Sequence, residues 1–434
     1  MKPRSLSLLS LAVFVILATG LASTAADQGQ WPQWRGPNRD GVSTETGLLK
    51  SWPSGGPKLA WKADLGGVGY GSPVIANGKI FALAATDDAE GKGEYAVALD
   101  AATGKQVWKA DMPASQGGYS QNWGSGPRST PTVDGDVVYA LGARGDLLAL
   151  NAVKGTKIWG TNLVKDFGGK VPSWGYSESV LIDGNKLLCT PGGKQGAILA
   201  LDKKTGKKLW QSAGLEDGAG YSSIIAADIA GVPQYITQTM QAAVGVNAKN
   251  GKPLWRVAEL KRSTAVIPTP VVYKDHAFFT SGYGAGCELL KLESDSKGGT
   301  KATVVYTKNP VLANHHGGVI RVGERIYGYS DRLGWVCFDF MKGGEDAEWA
   351  SKNLDKGSLT VADGNLYCYG QGKGTVVLAD ASPGGWKEKG RFEIPEKSKH
   401  PRRSGNIWSH PVVAGGKLFL RDHELLFAYD IAAK

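Results

Sequence analysis

Asp100-Ala-Ala-Thr-Gly-Lys-Gln-Val-Trp108 and Asp202-Lys-Lys-Thr-Gly-Lys-Lys-Leu-Trp210 are one phrase written twice, with an acid, a glycine at plus four and a tryptophan at plus eight. Asn151, Gly155 and Trp159, then Asn247, Gly251 and Trp255, repeat the spacing with asparagine in the first place. The physical reading is a turn between two strands. The Asp or Asn side chain caps backbone N–H groups, the glycine takes a positive φ that other residues resist, and the Trp opens the buried face of the next strand. Upstream of each turn lies an apolar strand, as in Ala98-Leu99-Asp100 and Ala200-Leu201-Asp202. Before that comes a hairpin signal such as Asp134-Gly135, Asp183-Gly184 or Asp363-Gly364, opening a strand such as Val137-Val138-Tyr139. A short proline-led strand stands first, as in Ser72-Pro73-Val74, Thr130-Pro131-Thr132 and Thr269-Pro270-Val271.

Each unit therefore has four strands, A to D, and the units stand about 40 to 51 residues apart, the length of a propeller blade and too long for the shorter solenoid repeats. Strand C ends at Asp100, Asn151, Asp202, Asn247, Glu293, Asp339, Asp380 and Asp430, which counts eight units. Later units degrade: Asp339 keeps Gly343 but its Trp349 is displaced, Asp380 keeps Gly384, and the fifth unit replaces the turn with Ser294 to Thr300. After Asp430 too little chain remains for a D strand, whereas Pro57 to Leu65, with Trp61, is a D strand without a blade. The expectation is an all-β, eight-bladed propeller of four-stranded antiparallel blades over residues 57–434, its ring closed by the N-terminal strand, which removes exposed sheet edges.

Ahead of the repeat, Lys2 and Arg4, the apolar run Leu6 to Ala18 and the small residues through Ala25 and Ala26 have the order of a secretory signal peptide over residues 1–26. Residues 27–56 are then an extended strap laying Trp31 and Trp34 on the ring. The first cysteine is Cys189, so no lipid-anchor cysteine follows the leader, and the expected product is a soluble, exported monomer, periplasmic or extracellular. The net charge of +10 falls to +8 without Lys2 and Arg4 and is spread along the chain, which argues against nucleic acid as a partner. The one dense basic run, Lys397, Lys399, His400, Arg402 and Arg403, is either a solvated loop or a binding rim.

The two turn phrases resemble the tryptophan-docking repeat of pyrroloquinoline quinone (PQQ) dehydrogenases, and equally that of the propeller subunit of the outer-membrane β-barrel assembly machinery. Trp31-Pro-Gln-Trp-Arg-Gly-Pro37 also looks like the leader of exported PQQ-like propellers. Family resemblance implies the fold and leaves activity open. It implies PQQ with Ca²⁺ as the cofactor of a catalytic member, with oxygen ligands around the cation and a disulfide between adjacent cysteines. This sequence has no adjacent cysteines: Cys337 takes the place of Ala98, Ala149 and Ala200, and Cys189 and Cys368 that of Ala82, Ala140 and Gly328, where a buried thiol acts as a small apolar group. No zinc spacing and no G-x-S-x-G element is present.

The loops that lead into strand A stand at the channel mouth, where propellers usually bind ligands. They supply Trp123, Arg128, Trp174, Tyr176, Glu178, Tyr221, His315, His316, Lys356, Trp408 and His410. Aromatic faces, an arginine and several histidines suit a planar or anionic small molecule, or a protein partner, through stacking and charge-assisted hydrogen bonds. The alternative is that each ring packs between blades. Two functions stand side by side: a binding or scaffold propeller, and a PQQ-dependent oxidoreductase acting on alcohols or sugars. With Glu178, Asn122 and Asn314 as the only oxygen donors nearby, the first is preferred. N-terminal sequencing of the exported protein should start at Ala26 or Asp27, and a membrane-bound product retaining Met1 would contradict the leader.

Overall fold

The computed structural model describes residues 29–86, 93–115, 118–296, 298–344, 346–401 and 406–433; the expected leader lies outside the described residues, as do Arg402 and Arg403. The chain forms eight sheets in sequence order, each built on four antiparallel strands. Blade 1 comprises Val74–Ala76, Lys79–Ala85, Glu94–Asp100 and Gln106–Asp111. The innermost strands of blades 2 to 8 begin at Thr132, Leu181, Ile225, Val271, Val319, Gly357 and Val412. A five-residue helix, Leu163–Phe167, capped by Asn162 and Gly168, is the one named helix among the described residues, and no helix there is long and apolar enough to cross a membrane.

The repeated turn does two jobs. Asp100 Oδ1 accepts from Thr103 N at 2.9 Å and Thr103 Oγ1 at 2.7 Å, and Asp202 does the same with Thr205. Gly104, Gly155, Gly206 and Gly251 then stand at φ of +71°, +71°, +70° and +70°. The same glycines are where the tryptophan of the preceding blade docks. A Cβ at Gly104 would lie 2.8 Å from the Trp61 ring, and one at Gly155, Gly206 or Gly251 would lie 2.7, 2.7 or 2.3 Å from Trp108, Trp159 or Trp210. Within its own blade each Trp faces a small residue across the ladder: Ala98 opposite Trp108, Ala149 opposite Trp159, Ala200 opposite Trp210, Gly245 opposite Trp255 and Cys337 opposite Trp349. The indoles of Trp108 and Trp159 donate to the next blade's carbonyls, Ala152 O at 3.1 Å and Lys203 O at 2.9 Å.

Blade 5 shows what happens without the turn. Trp255 has no glycine of that kind to meet and donates instead to Gln234 Oε1 of its own blade at 2.8 Å. The long D strand of blade 5, Thr300–Asn309, restores the lock with Tyr306, which packs on Gly343 and donates to Phe340 O at 2.9 Å.

Closure uses the same parts. Lys58–Asp64 pairs antiparallel with Leu425–Asp430, placing Trp61 opposite Ala428. Phe392 of blade 7 packs on Gly56, just ahead of that strand. Arg421, fully buried, spans the seam by donating to Gly71 O at 2.7 Å and Leu83 O at 2.8 Å of blade 1. Burial brings its pKa down to about 10, so it stays charged. Cys189, Cys287, Cys337 and Cys368 are all buried and unpaired.

The N-terminal strap does more than lie on the ring. Trp31 exchanges backbone hydrogen bonds with Ile75 of blade 1, and Val133 N of blade 2 donates to Pro32 O. Arg39 donates to Ser179 O and Val180 O at the start of blade 3, Trp34 to Thr269 Oγ1 ahead of blade 5, and Arg35 to Val319 O of blade 6. Val42–Ser43 adds a parallel strand inside blade 7, and Glu45 accepts from Gly415 and Gly416 of blade 8. A segment that meets the innermost strands of so many blades must lie across the central channel. It plugs the channel from the side of the A–B turns, with Arg35 and Arg39 buried in it.

Two consequences are measurable. Gly206→Val meets both the positive φ and the Trp159 ring, and should cost about 2–4 kcal/mol in urea unfolding. Gly184→Ala, at φ +57° with open space around it, meets only the backbone preference and should cost about 1 kcal/mol; equal costs would contradict docking. Deleting residues 57–65 exposes the edge Leu425–Asp430 and should cause aggregation, whereas a soluble, equally stable product would contradict closure.

Candidate functional site

Strand A runs from the mouth towards the plugged face, so the loop that enters each A strand must stand on the rim of the channel. All eight of these loops contribute to one pocket of about 360 Å³: Tyr70, Trp123 with Arg128, Trp174, Tyr221, Ala265 with Ile267, His315 with His316, Lys356, and Trp408 with His410. The turns between strands B and C add Tyr283 and Gln371, and Trp34 of the plug also lines it. Trp34 is held from below by its bond to Thr269 Oγ1 at 2.9 Å and packs 4.6 Å from the His410 ring.

Rings line much of the wall. Tyr70 and Trp408 lie 4.9 Å apart at 31°, His316 is 5.9 Å from Trp408, His315 5.2 Å from His316, and Tyr283 4.8 Å from His315. Trp174 and Tyr221 pair at 6.0 Å on the other side. Such a wall presents π faces and N–H edges to whatever enters.

Arg128 is partly buried, and its guanidinium donates to Gly124 O at 2.9 Å and to Gly126 O and Trp174 O at 3.3 Å. It therefore ties the blade 2 loop to the blade 3 loop while lying 5.2 Å from the Tyr70 ring centroid. No carboxylate among the described residues forms an ion pair with it, and burial lowers its pKa from the usual arginine value. Lys356 pairs with Asp331 at 2.6 Å.

The histidines differ from what composition suggested. Burial, then the charge of Lys356, lowers His315 to about 4, and burial with Arg35 lowers His410 to about 3. His316 is pushed well below the ordinary value by burial and by its neighbours His315 and Lys356. All three are neutral at neutral pH, so charge-assisted binding falls to Arg128 and Lys356. The indole N–H groups of Trp174 and Trp408 and Nδ1 of His316 have no hydrogen-bond partner among the described residues. Unsatisfied buried polar groups are rare enough to need a reason.

Nine of the eleven residues expected at the mouth line this pocket; Tyr176 and Glu178 do not. Side chains alternate along the segment: Ser177 and Ser179 face the pocket, and Tyr176 and Glu178 turn into the wall. Tyr176 donates to Pro191 O at 2.8 Å, and Glu178 accepts from Thr190 N and, at 2.9 Å, from Thr190 Oγ1, its pKa raised to about 7 by burial. Tyr70, Tyr283 and Gln371 are not among the residues expected at the mouth, and Trp34, expected on the ring, lies in the pocket. Tyr70 obeys the loop rule; Trp34 lies outside the repeat and the other two on turns the rule does not cover. The basic run is a loop in its described part: Lys397 donates to Gly372 O at 2.6 Å.

No Asp or Glu appears among the described lining residues, and no three His, Cys, Asp or Glu side chains among the described residues are grouped to hold a metal ion. The side-chain oxygens in the lining, the amides of Gln371 and Asn406 and the hydroxyls of Ser177, Ser179 and Ser223, are neutral, and with no carboxylate beside them the residues present do not fit PQQ with Ca²⁺, a hard cation held by charged oxygens.

Among solved structures the fold is similar to that of the quinohemoprotein alcohol dehydrogenase of Comamonas testosteroni, with a TM-score of 0.63 and 12% identity over 95% of this chain and 82% of that one. Two curated relatives are both named outer membrane protein assembly factor BamB. The Bordetella pertussis protein is 26% identical over 61% of this chain, which spans 65% of that protein, and the Shewanella oneidensis protein is 24% identical over 84% of this chain and 86% of its own. Residues 92–346, more than half of the chain, match the family model described as outer membrane protein assembly factor BamB. The chain belongs to that family of PQQ-like propellers.

Proposed function

We propose that this protein is an exported, non-catalytic binding propeller that holds a planar, acceptor-rich small molecule in the pocket at the channel mouth. The observation that carries the reading is the polarity of the lining: Arg128 and the unpartnered N–H groups of Trp174 and Trp408 are donors, Lys356 adds positive charge while its ammonium is held by Asp331 and His315, and no carboxylate stands among the lining residues. Positive charge and unpartnered indole N–H groups with no carboxylate beside them suit a ligand that carries carboxylate or carbonyl oxygens, and the aromatic walls suit a flat one. The plug supports a small ligand over a polymer segment threaded along the axis, because Trp34 lies in the pocket and its strap crosses the channel below. The apolar leader supports export, and the relatives named as assembly factors support a scaffold role in which other surfaces meet protein partners. The competing reading, a PQQ-dependent oxidoreductase, lacks a carboxylate for calcium among the described lining residues.

The deciding experiment is a titration with PQQ, with and without Ca²⁺, read by absorbance and followed by a dye-linked alcohol oxidation assay. Calcium-independent binding without turnover is expected; calcium-dependent turnover would replace the scaffold with the oxidoreductase. Arg128→Ala should weaken binding by about 1–3 kcal/mol and also lower the melting temperature, since it removes the tie to Trp174 O.

The neutral histidines give a pH signature. Because His315 and His410 protonate only near 4 and 3, an NMR titration should find both imidazoles neutral from pH 8 to 6. A midpoint near 6.5 for either would contradict it.

A further inference from the structure

Lys356 Nζ lies 2.6 Å from Asp331 Oδ1 and 3.0 Å from His315 Nδ1. An ammonium group has three hydrogens and no acceptor, so Nδ1 of His315 must be the accepting nitrogen. A neutral imidazole that accepts at Nδ1 carries its proton on Nε2. That nitrogen is 3.0 Å from Tyr283 Oη. The imidazole therefore donates and the phenol oxygen accepts, which leaves the phenol's own hydrogen for another partner. Tyr283 is 53% exposed and lines the pocket.

The loop is built to hold this arrangement. Tyr283 stands at φ +57°, uncommon for a residue with a side chain, and its N–H donates to Asp331 Oδ2 at 3.3 Å, so one carboxylate anchors both ends of the chain of bonds. A Cβ at position 282 would lie 3.0 Å from Cα and Cβ of His315, so the glycine there lets the turn approach the chain at that residue. Backbone strain kept at a pocket rim is a common mark of a positioned group.

We propose that Lys356 (anchored by Asp331), His315 and Tyr283 form a one-way donor chain, running from the ammonium through the imidazole to the phenol, that fixes the Tyr283 hydroxyl as a hydrogen-bond donor to a carboxylate or carbonyl oxygen of a planar aromatic ligand. The proposal rests on the mouth being a ligand pocket. It goes beyond that reading by naming the group that selects an oxygen acceptor on the ligand, and Lys356 and His315 as positioning residues behind it. Each bond in the chain polarises the next in the same direction, so the terminal hydroxyl donates more strongly than an isolated phenol. Ligands that place a carboxylate or carbonyl oxygen there gain from it; flat molecules without one gain little.

The test uses quenching of tryptophan fluorescence by naphthalene-2,6-dicarboxylate and, as a probe without a carboxylate, 2-naphthalenemethanol. The dicarboxylate is expected to bind more tightly to the unmodified protein. Tyr283→Phe should lose about tenfold or more for the dicarboxylate and little for the alcohol; Lys356→Met should lose most of the same factor, and the double variant no more than the larger single loss. Nitrogen-15 NMR of the imidazoles, which needs no ligand, should find His315 as the Nε2–H tautomer and find that preference lost in Lys356→Met, an effect a merely structural lysine would not produce. Full dicarboxylate affinity in Tyr283→Phe, or an Nδ1–H tautomer in the unmodified protein, overturns the donor chain and leaves the pocket standing. Failure of both probes to quench the unmodified protein overturns the pocket reading and the chain with it.

Discussion

A tryptophan from one blade lying on a glycine of the next is the contact on which this molecule depends. The lock joins two needs at one position, since the turn requires a left-handed residue and the ring requires a neighbour without a Cβ. Gly104, Gly155, Gly206 and Gly251 meet both. Burying an aromatic side chain contributes a few kcal/mol gross, and the ring repeats the gain at successive seams, with Trp61, Trp108, Trp159 and Trp210 each lying on a glycine of the next blade. The exceptions follow the same physics. Where blade 5 lacks the turn, Trp255 finds Gln234 and Tyr306 takes over on Gly343; where the chain ends meet, Phe392 uses Gly56 from the N-terminal side.

A closed ring leaves an axial hole, and the hole explains the strap. Backbone groups of the innermost strands have no neighbour on the channel side, and the segment from Trp31 to Glu45 supplies partners for them, with Arg35 and Arg39 each reaching carbonyls. Burial lowers Arg35 to about 10 and Arg39 to about 9, so both remain cations at neutral pH. Filling one end of the channel turns the other into a cup with a Trp34 floor. The chemistry of the cup is set by which groups the rim leaves unsatisfied, and those are mostly donors.

The repeat was legible because its period survives in one-dimensional spacing: an acid, a glycine and a tryptophan at fixed offsets need no tertiary knowledge. The mouth was legible because topology alone puts the loop before strand A on the rim, which is how Trp123, Arg128 and the histidine pair were found. Tyr176 and Glu178 failed on parity, since side chains alternate along that loop and Ser177 and Ser179 took the pocket side. The histidines' charge was not legible, because it depends on burial and on Lys356 and Arg35, which come together only in three dimensions. Trp34 had no signal of its position: nothing in a non-repeating strap says that it runs across the axis.

The most direct test of this account is a crystal structure with naphthalene-2,6-dicarboxylate at saturating concentration. The account requires density for the ring system over Trp34, enclosed by Tyr70, Trp408 and Trp174, with carboxylate oxygens near Arg128 and the Tyr283 hydroxyl. A channel mouth empty of ligand, with the strap seated as described and the probe bound elsewhere, would contradict it.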